Sequence, residues 1–224
     1  MKDLEIWNRF AFSSPGWPQA TTIRQLLVPP IAAVGRLPYE LAGLLPNREH
    51  SRDLMALVDS LPENRYEYRA VVGVFAADPF LNSKRVAERL VAKNYLEVAN
   101  IPPVAGYGAD FLATLDKVAS GTAQEQRNIG QLIDRGLSVS PAVAAIDDLP
   151  AALAWSPRRL WVVPSFDMWR GHALDTGRLL YLCRKVADRT EVPIILAAGQ
   201  TDISRREAAT AGARGILFDK EGQL

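Results

Sequence analysis

Carboxylates, amides and a guanidinium group at the ends of apolar runs are the residues with chemical potential in this sequence. Arg36, Asp78, Asn100, Ser165 and Gln200 each follow a short apolar run, and Glu97 sits inside one. A carboxylate at Asp78, before Pro79, can hold a metal through oxygen ligands, act as a base, or start a turn as Asp-Pro often does. Asn100 can polarise a substrate carbonyl or hydrogen-bond the loop that follows it. Glu97 can work as an acid or base once burial shifts its pKa, or pair with a donor on a neighbouring strand. Gly35 and Arg36 can grip a carboxylate or phosphate by bidentate guanidinium geometry. Ser165 and Gln200 complete a candidate substrate-binding set.

Other reactive types carry less. His50 and His172 are isolated in polar loops, without a metal-ligand partner at useful spacing, and read as surface residues. Cys183 is the sole cysteine and lies on an apolar helix face, which excludes an internal disulfide and reads as core. Gly106 and Gly108 lack the third glycine of a dinucleotide fingerprint.

The elements that must position these groups alternate. Residues 95–111, YLEVANIPPVAGYGADF, read as a strand, a kinked loop and a helix start. Strand side chains alternate, so Leu96, Val98 and Asn100 share one face, and Glu97, Ala99 and Ile101 the other. Leu96 and Val98 suit the helix-covered face, which turns Glu97 toward a barrel interior. There it needs a partner, Arg36 or a neighbouring-strand donor. Further strands are read at 23–34, 70–77, 137–145, 159–166, 192–198 and 214–218, with a weak one at 9–13. Helices start near Ser51, Ser83, Asp110, Asp147, Asp175 and Ser204. Phe111, Leu112, Leu115 and Val118 form one apolar stripe, and Gly121 separates it from another at Ile129, Leu132 and Ile133.

This alternation predicts a single domain over residues 1–224: a compact (β/α)8 TIM-type barrel with a degenerate first strand and an atypical segment at 1–22. An open, doubly wound sheet is the alternative. Lys and Arg number 26 against 25 Asp and Glu, so no basic excess points to nucleic acid. The longest apolar run, 26–34, is short for a bilayer and broken by Pro29 and Pro30, so no membrane partner is expected. The start reads as no signal peptide, and a cytoplasmic protein is expected.

Three blocks together carry a resemblance: GLLPNREHSRDLMALV at 43–58, VVGVFAADPF at 71–80 and ANIPPVAGYGADFLATLD at 99–116. In order and spacing they resemble the phosphoenolpyruvate hydrolase-like family, also described as TIM-barrel signal transduction proteins. Members carry G-L-[ML]-P, a strand ending in T-D-P-F, and N-[FY]-P-[TS]-V with D-x-x-F-R beyond. The resemblance implies a lyase or hydrolase acting on a small, anionic oxo-acid or phospho-acid, with Mg²⁺ held in part by Asp78. It also implies Arg36 on the substrate's anionic group and Asn100 on its carbonyl. Three family features are replaced. No glycine-rich loop stands in 1–22, Pro164, Ser165 and Phe166 stand for H-M-G, and Ala197, Ala198, Gly199 and Gln200 stand for C-H-G-G. Those losses motivate a second expectation, a catalytically inactive barrel that binds or regulates. In that expectation Trp7, Phe10, Phe12 and Trp17 are a candidate contact surface, with core packing the favoured reading of them, and exposed apolar edges favour a homo-oligomer.

Overall fold

Apolar runs that alternate with helices leave a parallel sheet with two faces to bury. The computed structural model describes residues 4–11, 24–29, 38–44, 49–64, 70–118, 120–170, 173–199 and 201–219. Strands β1 (Glu5–Ala11), β2 (Arg24–Val28), β3 (Ala70–Gly73) and β4 (Glu97–Ala99) pair in sequence order, all parallel. Strand β5 has two segments, Ser138–Val139 and Ala142–Val143. Then come β6 (Leu160–Val162), β7 (Ile194–Gly199) and β8 (Gly215–Asp219), and β8 returns to pair with β1.

Strand β5 decides between an open and a closed sheet. Its first segment pairs with β4 and its second with β6. The Ser138 and Ser140 N–H groups donate to Leu96 and Val98 carbonyls at 2.9 and 2.8 Å. The Pro141 and Val143 carbonyls accept from Trp161 and Val163 N–H at 2.9 and 3.1 Å. Pro141 has no N–H to offer, but its carbonyl serves the β6 side. One strand thus joins both ends of the sheet, and eight strands close into a (β/α)8 barrel. The open, doubly wound alternative does not hold, and the edges expected from the sequence are paired within this eight-stranded sheet.

The first strand also differs from expectation. It starts at Glu5 rather than Arg9 and is paired over five residues with each neighbour, so β1 is regular. The irregular strand is β5. Part of the supposedly atypical N-terminal segment therefore belongs to the barrel wall. Trp7 is fully buried there, which agrees with the favoured reading of core packing and not with a contact surface. Phe12 and Trp17 lie outside the described residues.

A four-residue helix, α1 (Tyr39–Ala42), follows β2. The outer layer is α2 (His50–Ser60), α3 (Ser83–Ala92), α4 (Ala109–Lys117), α5 (Thr122–Ile133), α6 (Leu149–Ala154), α7 (Thr176–Ala187) and α8 (Arg205–Thr210). Leu27, Val72, Val98 and Val139 pack outward under α2, α3 and α5. Val143, Leu160, Val162, Leu196 and Ile216 do the same under α6, α7 and α8, where Cys183 is also buried. Asn82 caps α3 by accepting from Arg85 N–H, and Ser204 caps α8 in a reciprocal pair with Glu207. The inner faces of the strands fill the barrel with Trp7, Leu26, Val71, Ala99, Trp161, Ile195 and Leu217. The Trp7 and Trp161 rings meet edge to face, 5.0 Å apart.

Those two rings account for much of the interior volume. Trp161→Ala should cost roughly 3–5 kcal/mol, because the barrel wall cannot collapse onto the void. Urea unfolding measures this, and an unchanged midpoint would show that the interior is not packed around this ring.

Candidate functional site

Barrel chemistry belongs at the C-terminal ends of the strands, where loops of different parentage meet. After β3 the chain runs through buried Val74, Ala76 and Ala77 to Asp78, which is 7% exposed. Asp78 Oδ1 accepts the Phe80 N–H at 2.9 Å, and Oδ2 accepts Ser51 Oγ at 2.5 Å. Asn128 on α5 donates through Nδ2 to the Ala76 and Asp78 carbonyls, at 2.8 and 3.0 Å. This loop is therefore pinned from α2 on one side and α5 on the other.

The loop after β4 is fixed in the same manner. Val104 N–H donates to Glu125 Oε1 at 3.1 Å, and the Tyr107 hydroxyl donates to the Leu44 carbonyl. Gly106 permits the close approach: a Cβ there would stand 2.9 Å from Leu44 Cδ1. Gly108, at φ +85°, takes the left-handed turn into α4 that glycine makes without strain. The α4 stripe is not packed as the sequence suggested. Phe111 and Val118 are 49% and 65% exposed, and only Leu112 and Leu115 are half-buried. The α4 helix stands over a cavity instead of on the sheet.

That cavity, of about 540 Å³, lies between the start of α2, the β3–α3 loop and α4. Its lining combines the polar Glu49, His50, Ser51, Arg52 and Asp78 with the apolar Phe75, Phe80, Tyr107 and Leu115. His50 is half-buried with its ring 4.4 Å from Phe75, so it is not the free surface residue its polar neighbours implied. As a cap, Ser51 would start α2 at residue 52, but the helix begins two residues earlier, with Glu49 at the cap, which leaves Ser51 Oγ for Asp78. The barrel mouth itself is filled. All four residues of α1 are buried, Glu40 pairs with Arg9, and the Arg9 guanidinium lies 4.8 Å above the Tyr39 ring.

Among the expected site residues, Asp78 lines the cavity and Asn100 and Glu97 do not. Asn100 Oδ1 accepts Ala142 N–H at 2.7 Å, and the side chain also hydrogen-bonds Glu125. It is spent on joining β4, β5 and α5. Glu97 faces the barrel interior and Val98 the helices, as strand alternation required. Glu97 is, however, the first residue of β4, at the N-terminal end of the barrel, opposite the cavity. Among the described residues its partners are Ser140 Oγ, a neighbouring-strand donor as expected, and Arg159 Nε, the latter at 3.1 Å. Burial pushes its carboxyl upward, and Arg159 and Ser140 offset this only in part. Ser165 is buried and donates to Asp167, whose carboxyl Ser165 and Arg178 hold below the usual range. Gly35, Arg36 and Gln200 lie outside the described residues, as does His172.

Glu125 went unnoticed in the sequence. Burial raises its carboxyl to about 7 against the lowering effect of Val104 N–H and Asn100. The signal was present, since Glu125, Asn128, Ile129 and Leu132 follow helical spacing, which puts an acid on an inward stripe.

No family model matches this chain, and no curated protein matches it either. Solved structures do match. Tryptophan synthase subunit alpha from Legionella pneumophila str. Paris is 11% identical at a TM-score of 0.57, over 96% of this chain and 80% of that one. Tryptophan synthase from M. tuberculosis, in an open form, is 15% identical at a TM-score of 0.56, over 96% and 82%. A FabK mutant from Thermotoga maritima is 14% identical at a TM-score of 0.44, and this chain spans 48% of it. The class defined by the fold is the TIM-barrel α/β proteins. Among the described residues no helix is long and apolar enough to cross a membrane.

Two outcomes follow for the buried acids. Arg159→Met strands Glu97 without its cation and should destabilise by roughly 3–5 kcal/mol, less at acid pH where the carboxyl takes a proton. Urea unfolding at two pH values checks it, and pH-independent loss would remove Glu97 as the cause. For Glu125, the folded protein holds the proton more tightly than the unfolded chain. Its stabilising protonation is complete below 4.5 and is lost as pH rises to about 7. The Glu125→Gln variant should flatten that slope, worth at most about 3 kcal/mol. Parallel pH–stability curves for the two proteins would refute it.

Proposed function

We propose that this chain is a TIM-barrel enzyme working in the cavity beside Asp78, a lyase or hydrolase on a small oxo-acid or phospho-acid. One observation carries the reading: Asp78, Ser51 and His50 converge on one cavity at the barrel face where such enzymes work. The resemblance to the phosphoenolpyruvate hydrolase-like family supplies the reaction class, and Asp78 stands within its D-P-F block. Ser51 and the Phe80 N–H orient the Asp78 carboxylate, which accepts a proton from substrate or water, and His50 is the second proton-transfer group. Arg36, Gly35, Gln200 and Ser165 belong to the proposed substrate-binding set.

Asp78 would be one oxygen ligand for Mg²⁺, and the hydrogen bonds to both its oxygens would orient it. No group of three His, Cys, Asp or Glu among the described residues could hold a metal ion. The proposed proton transfers run through side chains.

The filled barrel mouth favours a second reading, a catalytically inactive barrel that binds or regulates. In that reading a homo-oligomer would form over the exposed Phe80, Phe111 and Val118 rather than over a sheet edge.

Incubation with pyruvate, phosphoenolpyruvate and related acids, followed by NMR, separates the two. Asp78→Asn keeps an acceptor for Phe80 N–H but removes the base, and should lower turnover by roughly a hundredfold or more. Absence of turnover in the wild type, with ligand binding untouched by Asp78→Asn, would leave only the binding barrel.

A further inference from the structure

We infer that the cavity beside Asp78 takes an oxo-acid with an aromatic or similarly broad apolar side chain, not a pyruvate-sized one. This rests on the reading of the cavity as the substrate site. About 540 Å³ is space for a ligand well beyond pyruvate, which would leave most of the apolar lining in contact with water. The polar lining includes the start of α2, Glu49 to Arg52, and Asp78. His50 and Ser51 stand at the start of α2, where helix N–H groups favour a carboxylate, and Asp78 stands beside them. Phe75, whose ring lies 4.4 Å from His50, and Phe80, next to Asp78 in the same loop, line the cavity with Tyr107 and Leu115.

A lining of polar groups and several aromatic rings matches a ligand with a polar head and a flat apolar body. Core packing does not explain Phe80, which is 84% exposed although it lines the cavity. An aromatic row backs this lining: Tyr107 lies 4.9 Å from Phe111 and 6.1 Å, stacked, from Phe166. Aromatic side chains prefer offset or edge-on contact with another ring, and a phenyl group lying between Phe80 and Tyr107 supplies it.

The test is calorimetric titration of the full chain with pyruvate and with phenylpyruvate, alongside turnover of each. Phenylpyruvate should bind at least about tenfold more tightly, as burial of a phenyl group requires. Phe80→Ala and Leu115→Ala should each narrow the gap several-fold, and the exposure of Phe80 means its loss leaves folding intact. Turnover of pyruvate with equal affinity for both acids overturns this inference and leaves the enzyme reading standing. Tight phenylpyruvate binding without turnover of either acid supports the cavity assignment and removes the enzyme reading. Failure of phenylpyruvate to bind overturns the inference, whatever pyruvate does.

Discussion

A parallel sheet under helices has two raw edges, each a row of unpaired backbone groups, and this protein removes both with one strand. Residues 138–143 bond to β4 with their first half and to β6 with their second. The change of side happens at Ser140 and Pro141, where a missing N–H would be a defect in an ordinary central strand. Here the proline carbonyl takes the Trp161 N–H and the ladder continues. Every other element depends on that closure. It encloses Trp7 and Trp161, turns the outer faces toward the helices, and gathers the strand C-termini on one side.

The two ends of the barrel treat charge differently. At the N-terminal end, Glu97 and Arg159 are removed from water, and Glu97 Oε2 and Arg159 Nη1 have no protein hydrogen-bond partner among the described residues. Such a pair gives little net stability, since desolvation of both ions offsets their attraction, yet losing one partner is costly. At the C-terminal end, Asp78 keeps contact with a cavity and has its oxygens oriented by neutral donors. An oriented carboxylate with room beside it is suited to proton transfer, and a walled-in ion pair is suited to holding a shape.

The strand-helix alternation was legible because each run is short, apolar and punctuated. The inward turn of Glu97 was legible because side chains alternate strictly along a strand. Which end of the barrel it occupies was not, since that depends on where β4 begins, and Tyr95 and Leu96 look like strand residues although β4 starts at Glu97. Strand β1 looked weak because polar Glu5, Asn8 and Arg9 interrupt it. Glu5 bonds Arg24 and Arg9 pairs with Glu40, partners distant in sequence. The α4 stripe misled for a related reason. Helical spacing reports an apolar face but not what covers it, and here the surface opposite is a cavity. Asp78 was found from its place before Pro79, whereas His50 and Ser51 are site residues only by virtue of the loop that faces them.

Helix α5 reaches two loops and a strand at once. Asn128 holds the β3–α3 loop, Glu125 holds Val104, and Asn100 links Glu125 to the Ala142 N–H on the closing strand. These contacts run from the cavity's walls to the seam of the barrel without leaving the interior. Regions that open locally are those with few buried contacts to the rest of a protein. The cavity loops lack that independence, so a fluctuation wide enough to reshape them also loosens the seam. Their rigidity is borrowed from the cooperativity of the whole barrel, and the site stays ordered for as long as the ring remains shut.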